Sequence, residues 1–294
     1  MIFELTRMTA APDLAPHRPP RMSTQTYRRL CKLIHQHSRI HLNPSKVELL
    51  SSRLGKRLRE LGLPSWDDYL TWLQHNQDSE IDTLIDLIST NHTHFFREPI
   101  HFETVSSQLL DELLRHSPTA GQGLRCWSAA SSSGEEAFSL AIVLSEYAEQ
   151  KPGGLRWQID GTDISSRAIQ KARQAVYPMD RLGLPEPSLM QKYFQKGSGP
   201  FAQCCKVKDE LRKKVTFQRM NLFDKFYRIP QPQHIVFCRN ALIYFDLDSQ
   251  AQLIQRLHDV LEPGGYLIVG HSDSLLGIPH NFQGLGNSIY QRKR

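Results

Sequence analysis

The stretch Leu124-Arg125-Cys126-Trp127-Ser128-Ala129-Ala130-Ser131-Ser132-Ser133-Gly134-Glu135-Glu136 decides the fold of this chain. Its first five residues form a short apolar run that predicts a strand over Leu124–Ser128. A loop of small residues follows, and the pattern then predicts a helix over Glu135–Glu149. The same alternation recurs downstream. Arg156–Thr162 reads as a strand before a helix over Ser165–Val176. His234–Cys238 reads as a strand before a helix over Ser249–Leu261, which carries Leu253, Ile254, Leu257, Val260 and Leu261 on one side. Tyr266–Gly270 reads as a fourth strand. Strand–helix alternation at this spacing predicts a parallel, doubly wound α/β sheet. Such sheets bind ligands outside the carboxyl ends of their strands, where the Ala129–Gly134 loop would lie.

The loop itself narrows the ligand. It has one glycine, so it is not the G-x-G-x-x-G turn of dinucleotide-binding folds, and no G-K-[ST] follows to make a P-loop. Glu135 and Glu136 occupy the helix start where a pyrophosphate would sit. A ligand with no phosphate and a positive centre suits the loop better. S-adenosylmethionine, with its sulfonium, ammonium, carboxylate and adenosine, is such a ligand. The alternative is that both glutamates merely favour the positive end of the helix dipole. Asp163 ends the second strand in Ile159-Asp160-Gly161-Thr162-Asp163-Ile164-Ser165, where an acid can accept hydrogen bonds from both ribose hydroxyls. It could instead cap the next helix, but Ser165 and Ser166 already offer that role. Leu261-Glu262-Pro263-Gly264-Gly265-Tyr266-Leu267 ends the last long helix and is similar to the L-x-P-G-G-x-L turn of S-adenosylmethionine methyltransferases.

Outward from this core the chain changes character. From Ser23 to about Thr90 the pattern is helical, with no strand. Val47, Leu50, Leu54, Leu58 and Leu61 make one apolar stripe, with Ser45 as the expected N-cap and Gly62 followed by Pro64 as the stop. Further helices are expected over Trp66–Gln74, Ser79–Ile88 and His101–His116. Arg53, Lys56, Arg57 and Arg59 fall outside the stripe and would show solvent a basic face. The expected domains are a disordered lead-in over residues 1–20, a helical domain over 21–90, a linking segment over 91–117 and the α/β domain over 118–294. Between about 177 and 226 the alternation lapses amid Pro178, Pro185, Pro187, Gly197, Gly199 and Pro200, which predicts an inserted β-subdomain.

Bulk properties set limits. Apolar content of 39% and charged content of 22% over 294 residues are ordinary for a globular protein, and no apolar run is long enough to span a bilayer. The lead-in lacks the apolar core of a signal peptide. Five cysteines, an odd number with no C-x-x-C pair, argue against a disulfide framework or a zinc site and fit a cytoplasmic protein. His92, His94 and His101 match no zinc spacing, so no metal is expected. A net charge of +6 permits an acidic partner without choosing one.

Five segments together resemble the CheR-type chemotaxis-receptor glutamate methyltransferases. They are Thr90-Asn91-His92-Thr93-His94-Phe95-Phe96-Arg97-Glu98, Trp127–Glu136, Gly161-Thr162-Asp163-Ile164, Phe237-Cys238-Arg239-Asn240-Ala241-Leu242-Ile243-Tyr244-Phe245-Asp246, and Gly270-His271-Ser272. They fall in the family's order and spacing, from about Ser23 to Tyr290. Ser131-Ser132-Ser133 and Ala137-Phe138 depart slightly from the family's usual Ala-Ser-Thr and proline, and leave the carboxylates in place. The resemblance implies a Rossmann-like class I methyltransferase domain with a small inserted β-subdomain, preceded by a small all-helical domain. It implies a cofactor site in which Asn91, Thr93 and Arg97 come from the linking segment. Glu135 would meet the amino-acid end of S-adenosylmethionine, Asp163 the ribose, and Asn221 and Leu222 the adenine, while Arg239 and Asn240 close the site. S-adenosylhomocysteine would be the product. The acceptor would be a glutamate on the cytoplasmic methylation helices of a chemoreceptor.

A carboxylate acceptor is already ionised at neutral pH, so the reaction needs alignment rather than a strong base. Arg97 and Tyr244 are the candidates nearest the chemistry, with Arg239 as a further guanidinium; the arginines could instead pair structurally with Glu98, Glu135 or Asp163, and Tyr244 could be a core aromatic with its hydroxyl at the rim. Arg239-Asn240-Ala241-Leu242 lacks the [D/N]-P-P-[Y/F] run of base methyltransferases, which counts against nucleic acid. His271 reads as a structural hydrogen-bonding residue. The basic face at Arg53, Lys56, Arg57 and Arg59 either is solvated or docks acidic receptor helices. A monomer is expected. Two other readings stand beside this one: a methyltransferase of the same fold with another acceptor, and a non-catalytic cofactor-binding module.

Overall fold

The computed structural model describes residues 20–294, so the expected lead-in lies almost wholly outside the described residues. The chain begins with four helices: α1 (Thr24–Ser38), α2 (Val47–Glu60), α3 (Trp66–His75) and α4 (Gln77–Ile88). They bury Leu30, Ile34, Leu50, Leu54, Leu58, Tyr69, Leu70 and Leu84 in one apolar cluster. Val47 and Leu61, the ends of the predicted stripe, are only half-buried at its rim. The expected cap is corrected. Ser45 sits inside a 3-10 turn over Pro44–Lys46, and Asn43 caps that turn by accepting from the Ser45 N–H at 3.2 Å. Pro44 at the first turn position has no N–H to satisfy, which moves the cap one residue before it.

A linking helix follows in three pieces: α5 (Ile100–Thr104), a π turn over Val105–Leu109, and α6 (Leu110–His116). The α/β part then runs β1 (Leu124–Ser128), α7 (Glu135–Glu149), β2 (Trp157–Asp163), α8 (Ser166–Gln174), β3 (Val176–Pro178), α9 (Ser188–Tyr193), β4 (Phe194–Lys196), β5 (Cys204–Val207), α10 (Asp209–Arg212), β6 (Val215–Arg219), β7 (Gln233–Cys238), α11 (Leu247–Val260), β8 (Leu261–Val269), β9 (Phe282–Gly286) and β10 (Ile289–Arg292). The main sheet has seven strands in the order β6-β2-β1-β7-β8-β10-β9. The first five are mutually parallel, and β10 and β9 close one edge antiparallel.

Strand periodicity accounts for its two buried faces. In β7, Ile235 and Phe237 join the cluster that packs on α7, while Val236 and Cys238 join the cluster under α11. In β8, Tyr266 and Ile268 take the first face, Leu267 and Val269 the second. Both faces are covered, so these strands read as near-continuous apolar runs.

Two expectations need correction, and two strands are new. The insert is shorter than residues 177–226. Its own sheet is β3-β5-β4, and it ends before Val215–Arg219, which is the parallel edge strand β6 with Val215 opposite Ile159. An edge strand covered on one face only, with Val215 and Phe217 buried and Thr216 exposed, has the alternation of a hairpin strand. The L-E-P-G-G run is part of β8 rather than a turn before it: the register jumps from Gln233↔Leu261 to Ile235↔Tyr266, so the extra residues bulge out. Strands β9 and β10 were not expected. They form a hairpin whose two loop residues, Asn287 and Ser288, both have positive φ, as a type I′ turn requires.

At the end of the sheet opposite its carboxyl tips, buried His234 accepts from the Arg125 N–H through Nδ1 at 3.0 Å. Its Nε2 lies 2.9 Å from Thr119 Oγ1 and 3.3 Å from Glu262 Oε2. Burial holds the imidazole below its ordinary value of 6.5, against the opposite pull of Glu262. The unfolded chain therefore takes up a proton near pH 6.5 that the folded chain refuses. Unfolding free energy from urea titrations is expected to fall as pH drops below that value, and His234→Gln to flatten the slope. An unchanged slope in the variant would remove His234 from this account.

Candidate active site

Sheet order reverses between β1 and β7, and a cavity of about 480 Å³ lies at their carboxyl ends. Its floor is the Ala129–Ser132 loop, Asp163 after β2, Met220–Leu222 after β6, and Arg239–Ala241 after β7. Its roof is the helical domain, through Ser38, Leu42 and Leu49, and the linker Ile88–Thr93 with Arg97.

The loop is shaped by close approach. The Ser131 N–H donates to the Thr162 carbonyl at 2.8 Å, and Ser132 takes a positive φ of 50°. Gly134 has φ 97°, and a Cβ there would stand 2.9 Å from the Tyr177 hydroxyl and 3.0 Å from Phe217. One glycine is required, and it is the one present. Asp163 accepts from the Ser132 N–H and the Ser165 N–H, each at 2.9 Å. Burial pushes its carboxyl up, and those two N–H groups oppose the push. Each oxygen keeps a lone pair that can face the cavity.

The two glutamates of the loop separate. Successive helical residues point about 100° apart, so both cannot face one cavity. Glu136 lines it, accepts from Ser128 Oγ at 2.7 Å and lies 3.3 Å from Arg239 Nη1. Burial pushes its carboxyl up, and Arg239 pulls it down. Glu135, the residue expected at the cofactor's amino-acid end, is not in the cavity wall; its carboxylate accepts from Ser133 Oγ at 2.7 Å.

Arg239 is 2% exposed and lies 3.1 Å from Glu98 Oε2 as well as against Glu136. Its guanidinium sits 5.5 Å and 5.8 Å from the ring centres of Phe102 and Phe237 and donates to the Arg97 carbonyl. Glu98 also accepts from Asn240 Nδ2 at 3.3 Å and from the His271 N–H at 3.1 Å. Burial would raise the Glu98 carboxyl, but Arg239 and these donors hold it below its ordinary value. Asn240 lies directly over Gly270, where a Cβ would come within 2.5 Å of Asn240 Nδ2. That contact accounts for the glycine in Gly270-His271-Ser272.

Residues 91–290 match the family model of the CheR methyltransferase SAM-binding domain, and residues 25–89 match that of the CheR methyltransferase all-alpha domain. The chain belongs to the CheR methyltransferase family. It is 37% identical over 270 residues to the chemotaxis protein methyltransferase of Salmonella typhimurium, covering 92% of this chain and 90% of that one. It is 36% identical over 270 residues to the Escherichia coli chemotaxis protein methyltransferase, covering 92% and 91%. Chemotaxis protein methyltransferase 2 of Pseudomonas aeruginosa is 37% identical over 251 residues, covering 85% and 87%. This CheR methyltransferase is thus an S-adenosylmethionine-dependent enzyme of chemotaxis.

Of the residues singled out in the sequence for cofactor or chemistry, Asn91, Thr93, Arg97, Asp163, Asn221, Leu222, Arg239, Asn240 and Tyr244 all line the one cavity. Asn221 uses its side chain structurally, donating to the His37 carbonyl at 2.7 Å and accepting from the Phe223 N–H at 2.9 Å. Asn91 donates to Ser165 Oγ at 3.2 Å. Arg97 donates to the His92 carbonyl at 3.0 Å and is otherwise 3.9 Å from Glu98. The sequence left Glu136, in the wall, without a site role, and Glu98, behind it, is the structural partner of Arg239. Glu98 lay within a quoted segment, yet only the fold shows that its carboxylate joins the linker to β7.

The basic face is corrected. Arg53 donates to the Ile88 and Ser89 carbonyls and to Thr90 Oγ1, so it pins the end of α4. Arg57 makes a two-point pair with Glu80, which is 1% exposed and also accepts from the Tyr69 hydroxyl. Both turn inward because α4 packs beside α2 and offers carbonyls and a buried acid. Lys56 and Arg59 remain exposed.

Arg239→Met leaves Glu98 and Glu136 without their counter-charge. It is expected to destabilise the fold by about 3 kcal/mol or more, the scale for breaking one side of a buried pair. Tyr244→Phe, at the half-exposed rim, should change stability by less than about 0.5 kcal/mol. Chemical denaturation of both variants checks the contrast.

Proposed function

We propose that this chain transfers the methyl group of S-adenosylmethionine to glutamate side chains on the cytoplasmic methylation helices of chemoreceptors, releasing S-adenosylhomocysteine. The observation that carries the reading is the division of charge around the cavity. Carboxylates, Asp163 and Glu136, lie on its floor, suited to ribose hydroxyls and to the cofactor's cationic end. A half-exposed guanidinium, Arg97, stands at its roof, suited to an anionic acceptor. Asn91, Thr93, Asn221 and Leu222 complete the cofactor pocket in this reading, and Arg239 and Asn240 close it from behind.

The step needs no proton transfer. A carboxylate oxygen forms a bond to the methyl carbon while the carbon–sulfur bond breaks, and its electron pair neutralises the sulfonium. The protein's work is to align oxygen, carbon and sulfur and to exclude water. Arg239 is already committed to two carboxylates, so it is poorly placed to hold a third. Arg97 is the better guanidinium for the acceptor. Among the described residues the Tyr244 hydroxyl has no hydrogen-bond partner in the protein, which leaves it available to an acceptor or to the methyl channel. The enzyme acts in the cytoplasm, where these helices lie, and works as a monomer. Among the described residues no helix is long and apolar enough to cross a membrane.

Exposed Lys56 and Arg59 supply the positive end of a docking surface for acidic receptor helices.

Incubation with labelled methyl donor and receptor cytoplasmic fragments is expected to give base-labile methyl esters on glutamate. The rate should be flat between pH 6 and 8, because the acceptor titrates near about 4.3. Label on another residue type, or on nucleic acid alone, would replace the acceptor in this reading. Lys56→Glu with Arg59→Glu should weaken receptor methylation and leave cofactor affinity unchanged. Unaltered methylation would remove the docking surface.

A further inference from the structure

Glu98, His101 and His271 converge behind the cavity, and none of them lines it. Glu98 and His101 are three residues apart at the start of α5, and His271 comes from the loop after β8. The His101 ring is 0% exposed, and its Nε2 lies 2.8 Å from the Asn287 carbonyl oxygen. A carbonyl only accepts, so Nε2 carries the proton and Nδ1 presents a bare lone pair. That Nδ1 has no hydrogen-bond partner. It faces Glu98 Oε2, another acceptor, at 3.5 Å. Glu98 Oε2 is held by Arg239 and the His271 N–H, so the buried lone pair of His101 Nδ1 is the one left without a partner.

The third side chain completes a coordination set. His271 is exposed, and its ring centre is 5.0 Å from that of His101. One ligand atom from each of the three residues lies within 4.8 Å of the others. Zinc with bonds of about 2.0–2.1 Å holds tetrahedral ligand atoms about 3.4 Å apart, close to the present Glu98–His101 separation. The exposed His271 ring can close the remainder by rotation.

We propose that Glu98, His101 and His271 bind a transition dication of the zinc type, with its fourth position open to water. Two imidazoles and one carboxylate are a donor set that zinc takes, whereas calcium and magnesium want oxygen alone. Two guanidiniums face the cluster, Arg239 at 3.1 Å and Arg97 at 3.9 Å from the Glu98 carboxylate. They weaken the site relative to a dedicated zinc centre. The bound ion ties the start of α5 to the Gly270–Asp273 loop, and so acts on the two segments that flank Arg97 and Asn240. His92 and His94, the neighbours that the sequence sets beside His101, are exposed and take no part.

The full chain, stripped with a chelator, is titrated with Zn²⁺ by calorimetry, with Mg²⁺ as the comparison ion. One saturable equivalent of Zn²⁺ and no Mg²⁺ is expected. His271→Ala and Glu98→Gln should each weaken that equivalent by at least about tenfold, while His116→Ala, on the exposed end of α6, leaves it unchanged. His271 is exposed, so its variant keeps the fold; should Glu98→Gln unfold, His271→Ala decides alone. Absence of a one-to-one Zn²⁺ isotherm, or one that survives His271→Ala, overturns the proposal.

Discussion

The site is organised around one buried cation, the Arg239 guanidinium, and the two carboxylates that make it tolerable there. A guanidinium 2% exposed needs opposite charge and hydrogen bonds on several sides. Glu136 supplies one side from α7, Glu98 a second from the linker, and the Arg97 carbonyl a third. Because Glu136 comes from the start of α7 and both Glu98 and the Arg97 carbonyl from the linker, satisfying one arginine fixes three segments at once: the start of α7, the linker, and the end of β7 itself. The aromatic rings of Phe102 and Phe237 complete the enclosure.

That constraint has a backbone counterpart. Phe96, Glu98, Ser132 and Asn240 are all non-glycine residues with positive φ; Ser132 and Asn240 line the cavity, and Phe96 and Glu98 flank Arg97, which also lines it. Such conformations persist only where neighbouring contacts hold them. Here the contacts are visible. The Phe96 N–H donates to Ser139 Oγ at 2.9 Å, Glu98 is held by Arg239, the Ser132 N–H donates to Asp163, and the Asn240 N–H donates to Asp273. The tight winding from Phe96 to Glu98 sends Phe96 into the core, Arg97 toward the cavity and Glu98 back to Arg239. Three successive side chains thus go to three different places, which no regular strand or helix would allow.

Periodicity made the central sheet legible. Leu124–Ser128 and Glu135–Glu149 stand where the apolar pattern puts them. Strands β7 and β8 are buried on both faces and read as unbroken apolar runs. The elements it did not reveal are those half-covered by others. Strand β6 alternates because only one face is packed, and the β9–β10 hairpin is short and carries few apolar residues. Site residues followed the same rule. Those placed by strand ends, such as Asp163 and Asn240, could be assigned from the pattern and the resemblance. The choice between Glu135 and Glu136 could not, because it depends on the helix's rotation about its axis. The inward turn of Arg53 and Arg57 depends on where α4 packs, which no local pattern in α2 contains.

The roof of the cavity differs in kind from its floor. The helical domain's apolar cluster is separate from the two that sandwich the sheet. What joins roof to floor is largely polar. His35 meets Asp246 at 2.7 Å, Asn221 Nδ2 donates to the His37 carbonyl, the His41 N–H donates to the Tyr244 carbonyl at 2.8 Å, and Arg219 pairs with Asp82. The His35–Asp246 contact and the Arg219–Asp82 ion pair are each a third or more exposed, and exposed ion pairs contribute only about 0–1 kcal/mol. The floor is built into a sheet buried on both faces, with apolar clusters on either side that do not include the roof. Arg53 bridges the two: by holding Ile88, Ser89 and Thr90 it ties the linker's start to the helical domain. Glu98 ties the linker's end to the sheet wall through Arg239, so the few residues from Asn91 to Arg97 are the chain's covalent bridge between roof and floor.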